Sequence, residues 1–192
     1  QGGGNVASGD YSSAQGLGTQ ALSTASHSEG ISTIANNLGA HAEGIATRAT
    51  GKGSHAEGGG GIASGDYSHV EGDPCIASGY ASHAEGNTCT ASGSASHAEG
   101  NTCTASGNNS HAGGFNTSAS GDSSFSHGQY TNASAISSVS MGYAGGGPMT
   151  ASGRGSFCMG DVNGGSMTST SFGAFCMGRV NSGATMRSTD VG

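Results

Sequence analysis

A glycine recurs every fourteen residues along most of this chain, a rule that few folds could obey. The series runs Gly2, Gly16, Gly30, Gly44, Gly58, Gly72, Gly86, Gly100, Gly114, Gly128 and Gly142. It then widens to eighteen at Gly160 and Gly178 and closes with fourteen at Gly192. A fixed short period is the signature of a solenoid, in which each repeat is one coil stacked on the last. Fourteen residues are too few for two helices, so each coil is expected to be two brief strands and two turns. The chain is then a rod of about a dozen coils, roughly 60 Å long at strand spacing. Residues 1–142 form the fourteen-residue part, and residues 143–178 are longer coils of the same roll. Residues 179–192 read as a closing segment or the start of a neck, where Arg187 and Asp190 break the repeat.

Composition narrows the class. With 39 glycines among 192 residues, 32% hydrophobic residues and no Trp, a conventional core of bulky side chains is out of reach. A Gly/Ser-rich text of this kind usually signals disorder. A strict register argues against that, and the two prolines and missing Gly-X-Y triplets exclude collagen. The net charge of −7 with five basic residues makes nucleic acid an unsuitable partner. No apolar run approaches transmembrane length. The chain opens in mid-repeat and is expected to be a piece of a longer protein, with any signal or anchor elsewhere. Five cysteines, odd in number and set within repeats, do not resemble a disulfide framework.

Sorted by the period, the chain becomes a set of columns. The clearest unit is A-S-G-x-x-S-H-A-E-G-N-T-C-T, at Ala77–Thr90 and again at Ala91–Thr104. One column is Ala from Ala7 to Ala133, and another is uniformly small, as at Ser28, Ala42, Ala56, Val70 and Ala84. Strand alternation places these small residues inside a narrow bore. Cys75, Cys89 and Cys103 fall in a column that otherwise holds Thr, and Cys158 and Cys176 fall in the Ala column, so all five read as small filler. The glycines are expected at the turns, where a positive φ or the next coil excludes a Cβ.

The opposite side of the same strands carries the informative columns. His27, His41, His55, His69, His83, His97 and His111 form one, and Glu29, Glu43, Glu57, Glu71, Glu85 and Glu99 form its neighbour. The same two positions later become Phe125 with His127, Val139 with Met141, Phe157 with Met159 and Phe175 with Met177. Outward Phe and Met need a partner surface, and the simplest partner is another copy of this chain under rotational symmetry. The other sheet is expected to turn a mostly polar face to water, as at Ser64, Ser78, Ser92 and Ser106.

This A-x-G-x-x-S-x-A-x-G pattern, from Ala7 to about Gly178, resembles the YadA-like head repeats of trimeric autotransporter adhesins and related surface or fibre proteins. The resemblance implies an all-β, left-handed parallel β-roll working as a homotrimer. In that family the pentad is S-V-A-I-G, with Val and Ile toward the trimer axis. Here His and Glu stand there, as in Ser82-His83-Ala84-Glu85-Gly86, and apolar forms occur as Ser138-Val139-Ser140-Met141-Gly142 and Ser156-Phe157-Cys158-Met159-Gly160. The trimer-axis set is thus expected to be the His, Glu, Phe, Val and Met residues named above from His27 to Met177, His127 apart.

A His/Glu axis is expected to pack as ionic or hydrogen-bonded layers between neighbouring chains. The weaker alternative is axial metal coordination by His27, His41, His55, His69, His83, His97 or His111, and otherwise no metal or cofactor is expected. A His that gains a carboxylate partner has its pKa raised, so the stability it adds is lost as pH rises, whereas repulsion among histidinium ions acts the other way. No catalytic residue is expected, because His-x-Glu recurs at every coil whereas an active site is one constellation. The expected function is a non-catalytic, extracellular cell-surface adhesin head or fibre segment that binds a host matrix or cell-surface ligand. The alternatives are a structural spacer or shaft, as in a phage tail fibre or spore-surface filament, and a metal-binding rod. No contact with nucleic acid or membrane is expected within this segment.

Overall fold

The computed structural model describes residues 3–189. Gly2 and Gly192 of the glycine series, and Asp190, lie outside the described residues. The described residues hold strands and turns and no helix. They divide into two compact units, residues 1–95 and 96–192. Each unit is a parallel β-solenoid, in which a longer strand and a shorter strand alternate along the chain and build two sheets.

Pairing is in strict register at the length of the repeat, fourteen residues over most coils and eighteen in the longer ones. In the first unit the strand His27–Ile31 pairs with His41–Ile45, setting His27 beside His41 and Glu29 beside Glu43. The short strand Gln20–Ala21 pairs with Ile34–Ala35 in the same way. In the second unit His97–Asn101 pairs with His111–Phe115, and Phe157–Val162 pairs with Phe175–Val180. Identical residue types therefore stack at the spacing of neighbouring strands, about 4.8 Å. A slip of one residue would turn every inward side chain out, so the small-residue columns fix the register.

The bore is as narrow as the columns predict. Ala21, Ala35, Ala49, Ala63 and Ala77 are fully buried, as are Thr33, Thr47, Cys75 and Cys103. Many of its polar groups find partners in the coil walls. Ser54 Oγ donates to Gly51 O at 2.8 Å, Ser68 Oγ to Gly65 O at 2.7 Å and Ser110 Oγ to Gly107 O at 2.6 Å. Thr47 Oγ1 donates to Glu43 O at 2.9 Å across the other corner. A hydroxyl thus closes most of these corners from within, Ala40 and Ala174 being exceptions, and so bonded a buried hydroxyl costs little.

The eighteen-residue coils house larger side chains. Met149 and Met167 follow Thr131 in register, and pack with Cys158, Val162, Cys176 and Val180. The strands lengthen to Val139–Ala144 and Phe157–Val162, and Gly145–Pro148 loops out between strands. Cys75, Cys158 and Cys176 carry free thiols, and all five cysteines are buried.

The main glycine column does not sit at the turns. Gly30 is the fourth residue of its strand, with φ 108°, and a Cβ there would lie 2.0 Å from the carbonyl oxygen of Gly44. Close approach of the next coil excludes a side chain, as expected, but it does so inside the strand. The left-handed corner positions are instead open to ordinary residues, among them Tyr11, Ala25, Ser32, Ala46 and Tyr67. Their amides bond the adjacent coil, as from Ala25 N to Asp10 O at 2.8 Å and from Tyr67 N to Lys52 O at 2.7 Å, which offsets the strain.

Candidate functional site

The face that carries His and Glu is built by alternation along the longer strands. In His27–Ile31 the residues His27, Glu29 and Ile31 point away from the bore while Ser28 points in and is buried. Parallel register then turns each type into a ladder. In the first unit the rings of His41 and His55 stack with centroids 4.6 Å apart, His55 and His69 at 4.8 Å, and His69 and His83 at 4.7 Å. In the second unit His97 meets His111 edge-on at 4.9 Å, and His111 lies against Phe125 at 5.0 Å.

Carboxylates flank these rings within the chain itself. His55 Nε2 lies 3.4 Å from Glu43, His69 Nε2 lies 3.7 Å from Glu57 and His111 Nε2 lies 3.3 Å from Glu99. Each of these pairs joins a histidine to the glutamate of the coil before it. His27 pairs inside its own strand, with Glu29 at 3.3 Å. Ion pairing of the columns therefore needs no second chain. About a third of each paired histidine side chain stays exposed, so these pairs are worth little individually.

Crowding of like groups alters the electrostatics expected from simple His–Glu pairs. The His41 pKa is lowered, by burial first and then by His55 and His27, and these outweigh the attraction of Glu43 and Glu29. The anticipated rise does not occur at His41, because a stacked histidine has a histidine on either side as well as carboxylates. Along the glutamate ladder the shifts alternate. Burial, followed by hydrogen bonds with Glu43 and Glu71, raises Glu57. Glu43 is lowered: burial acts upward but is outweighed by hydrogen bonds with Glu57 and Glu29 and by His41 and His55. A hydrogen bond with Glu85 leads the lowering of Glu71, against burial.

In the second unit the same positions become apolar. Phe157 and Phe175 stack at 5.0 Å and nearly parallel, with Met159 and Met177 beside them in register. Phe175 is 58% exposed and Met177 53%. Nearby in sequence, Tyr130, Ala144 and the Gly145–Pro148 loop line an open pocket of about 420 Å³, in which the Tyr130 phenol is the one ionisable side chain.

Two features of the surface are not anticipated by the sequence columns. Leu17, Ile31 and Ile45 form a third outward column beside the His and Glu columns, and all three are exposed. Their signal is present in the sequence, since the residue after each glycine lies two positions beyond Glu on the same face. The other sheet is also less polar than expected. Ser64 and Ser78 are exposed there as anticipated, but Ile34 and Ile62 are half-buried on that sheet and Ile76 is exposed. No protein-family model and no curated protein matches this chain.

Proposed function

We propose that the chain is a non-catalytic, surface-exposed adhesin head or fibre segment that works as a homotrimer of left-handed β-rolls. The observation that carries this reading is the Phe157/Phe175 and Met159/Met177 ladder, half-buried at Phe157 and Met159 and exposed at Phe175 and Met177. An in-register apolar ladder left in water needs a cover, and a symmetric copy supplies the same ladder in return. Under threefold symmetry the Phe, Val and Met positions of the second unit and the His and Glu columns face the axis. The His–Glu layers then contribute register more than stability, since desolvation offsets most of their attraction.

Attachment on this reading comes from many weak contacts, repeated along the coils and over three chains. The ligand class is a host matrix or cell-surface molecule, and the site of action is extracellular. Sedimentation equilibrium tests the assembly: three chains per particle are expected, and a monomer at tens of micromolar would overturn it. Binding of the purified segment to immobilised matrix glycoproteins and to cell surfaces tests the adhesin. A trimer that binds neither is the shaft of a longer fibre.

A further inference from the structure

In the first unit the histidine ladder is more than a set of simple ion pairs. His41, Glu43 and His55 bring one ligand atom each to within 4.8 Å of one another. His41 Nε2 is out of contact with solvent and makes no hydrogen bond among the described residues. His55 Nε2 is equally enclosed, with the Glu43 carboxylate 3.4 Å away but not aligned as a hydrogen-bond acceptor. Two enclosed nitrogens with poorly used lone pairs or protons, one on each side of a carboxylate, leave polar capacity that an ion would satisfy.

We propose that His41, Glu43 and His55 of a single chain form a binding site for a divalent late-transition ion such as Zn²⁺. Two imidazole nitrogens and a carboxylate oxygen make a three-ligand set that leaves a position for water, and borderline-soft nitrogen donors favour zinc, nickel or copper over magnesium or calcium. Tetrahedral zinc with bonds of about 2.1 Å needs its donors about 3.4 Å apart, so the set must contract. That movement is confined to side-chain rotation. The backbones of His41 and His55 are fixed in register as neighbouring strand residues, and their rings already stack at 14°. Ala42 and Ala56, both fully buried, anchor the two strands in the bore. Another cluster within the first unit, Glu57, His69 and Glu71, has one nitrogen and two carboxylates and is the weaker site for such an ion.

All three donors belong to one chain, so this inference stands whether or not the chain is a trimer. The test begins with protein stripped by a chelator, dialysed against Zn²⁺ and counted by elemental analysis. His41→Gln combined with His55→Gln is expected to bind one zinc per chain fewer than the unmodified protein, and His127→Gln to bind as many. Equal zinc in the double variant, or no zinc bound at 100 µM by the unmodified chain, would overturn the proposal. Should the double variant fail to fold, electron paramagnetic resonance of the unmodified chain with half an equivalent of Cu²⁺ decides. Hyperfine structure from two imidazole nitrogens is expected, and one or none refutes the site.

Discussion

Val70 fills the space that a side chain at residue 61 would occupy. A Cβ placed on Gly61 would lie 2.6 Å from Val70 Cγ1, and Val70 is fully buried. In the two preceding coils the same two columns read Thr and Ala, at Thr33 with Ala42 and Thr47 with Ala56. The coil has exchanged one methyl-bearing residue for another across the bore while keeping the interior filled. Val70→Ala alone is therefore expected to leave a cavity and cost about 1–2.5 kcal/mol, and Gly61→Thr alone to overpack and cost about 1–3 kcal/mol. The double variant restores the Thr/Ala pair of the two preceding coils and should lie within about 0.5 kcal/mol of the original. Urea unfolding of the three variants measures this, and additive losses in the double variant would refute the exchange.

Glycines of the two kinds should respond differently to a methyl group. Gly72 has φ 104° and its Cβ would sit 2.0 Å from the carbonyl oxygen of Gly86, a backbone atom that hydrogen bonding holds in place. Gly39 has φ 64° but no atom within 4 Å of its Cβ position. Gly72→Ala is expected to cost about 3 kcal/mol or more, by the logic of overpacking against fixed backbone. Gly39→Ala should cost only the left-handed penalty of about 1 kcal/mol. Thermal unfolding followed by circular dichroism separates them.

That contrast also marks how far the sequence could be read. The period, the inward columns and the outward His, Glu, Phe and Met were all legible, because alternation and burial act through side-chain size and polarity, which the text displays. The reason for each glycine was only half legible. A glycine needed for a turn and one needed for the passage of a neighbouring carbonyl look the same in sequence. Gly30 is of the second kind, while Ala25 and Tyr67 take the corner conformation on the strength of amide bonds to the next coil. The His41 shift was hidden for a related reason. It depends on burial first and then on His55 and His27 in the adjoining coils, and the balance between these and the carboxylates is set by three-dimensional distance.

The serine before each histidine should matter through its hydroxyl rather than its size. Ser68 Oγ donates to Gly65 O at 2.7 Å and the residue is buried, whereas Ser64, four residues earlier, is exposed. Ser68→Ala leaves an enclosed carbonyl with one bond fewer and is expected to cost about 1–2 kcal/mol. Ser64→Ala should be within about 0.5 kcal/mol of neutral. Ala40 and Ala174 occupy the Ser68 column without a hydroxyl, so the fold survives the loss of one such bond. The midpoint of chemical denaturation reads the difference, with circular dichroism confirming an unchanged strand content.

Acidification is expected to weaken the fold before the carboxylates titrate. The groups facing His41 are His27 and His55 on the adjoining strands, Glu29 on the strand before and Glu43 on its own. Burial, His55 and His27 together hold its pKa below the ordinary imidazole value of 6.5. A folded state that binds the proton less readily than the unfolded chain is most stable above the unfolded pKa. It loses that advantage as pH falls from about 6.5 through the folded pKa. Glu43 and Glu71 are lowered and act in the same sense below pH 4.5, whereas the raised Glu57 acts in the opposite sense above pH 4.5. The window between about pH 6.5 and 5.5 therefore lies clear of Glu43 and Glu71 and sets the histidine contribution against Glu57 alone. In chelator-containing buffer the melting temperature should be level from pH 8 to 7 and then decline across that window. His41→Gln should make the decline shallower. A melting temperature that climbs on acidification would instead mean that the carboxylates dominate the ladder.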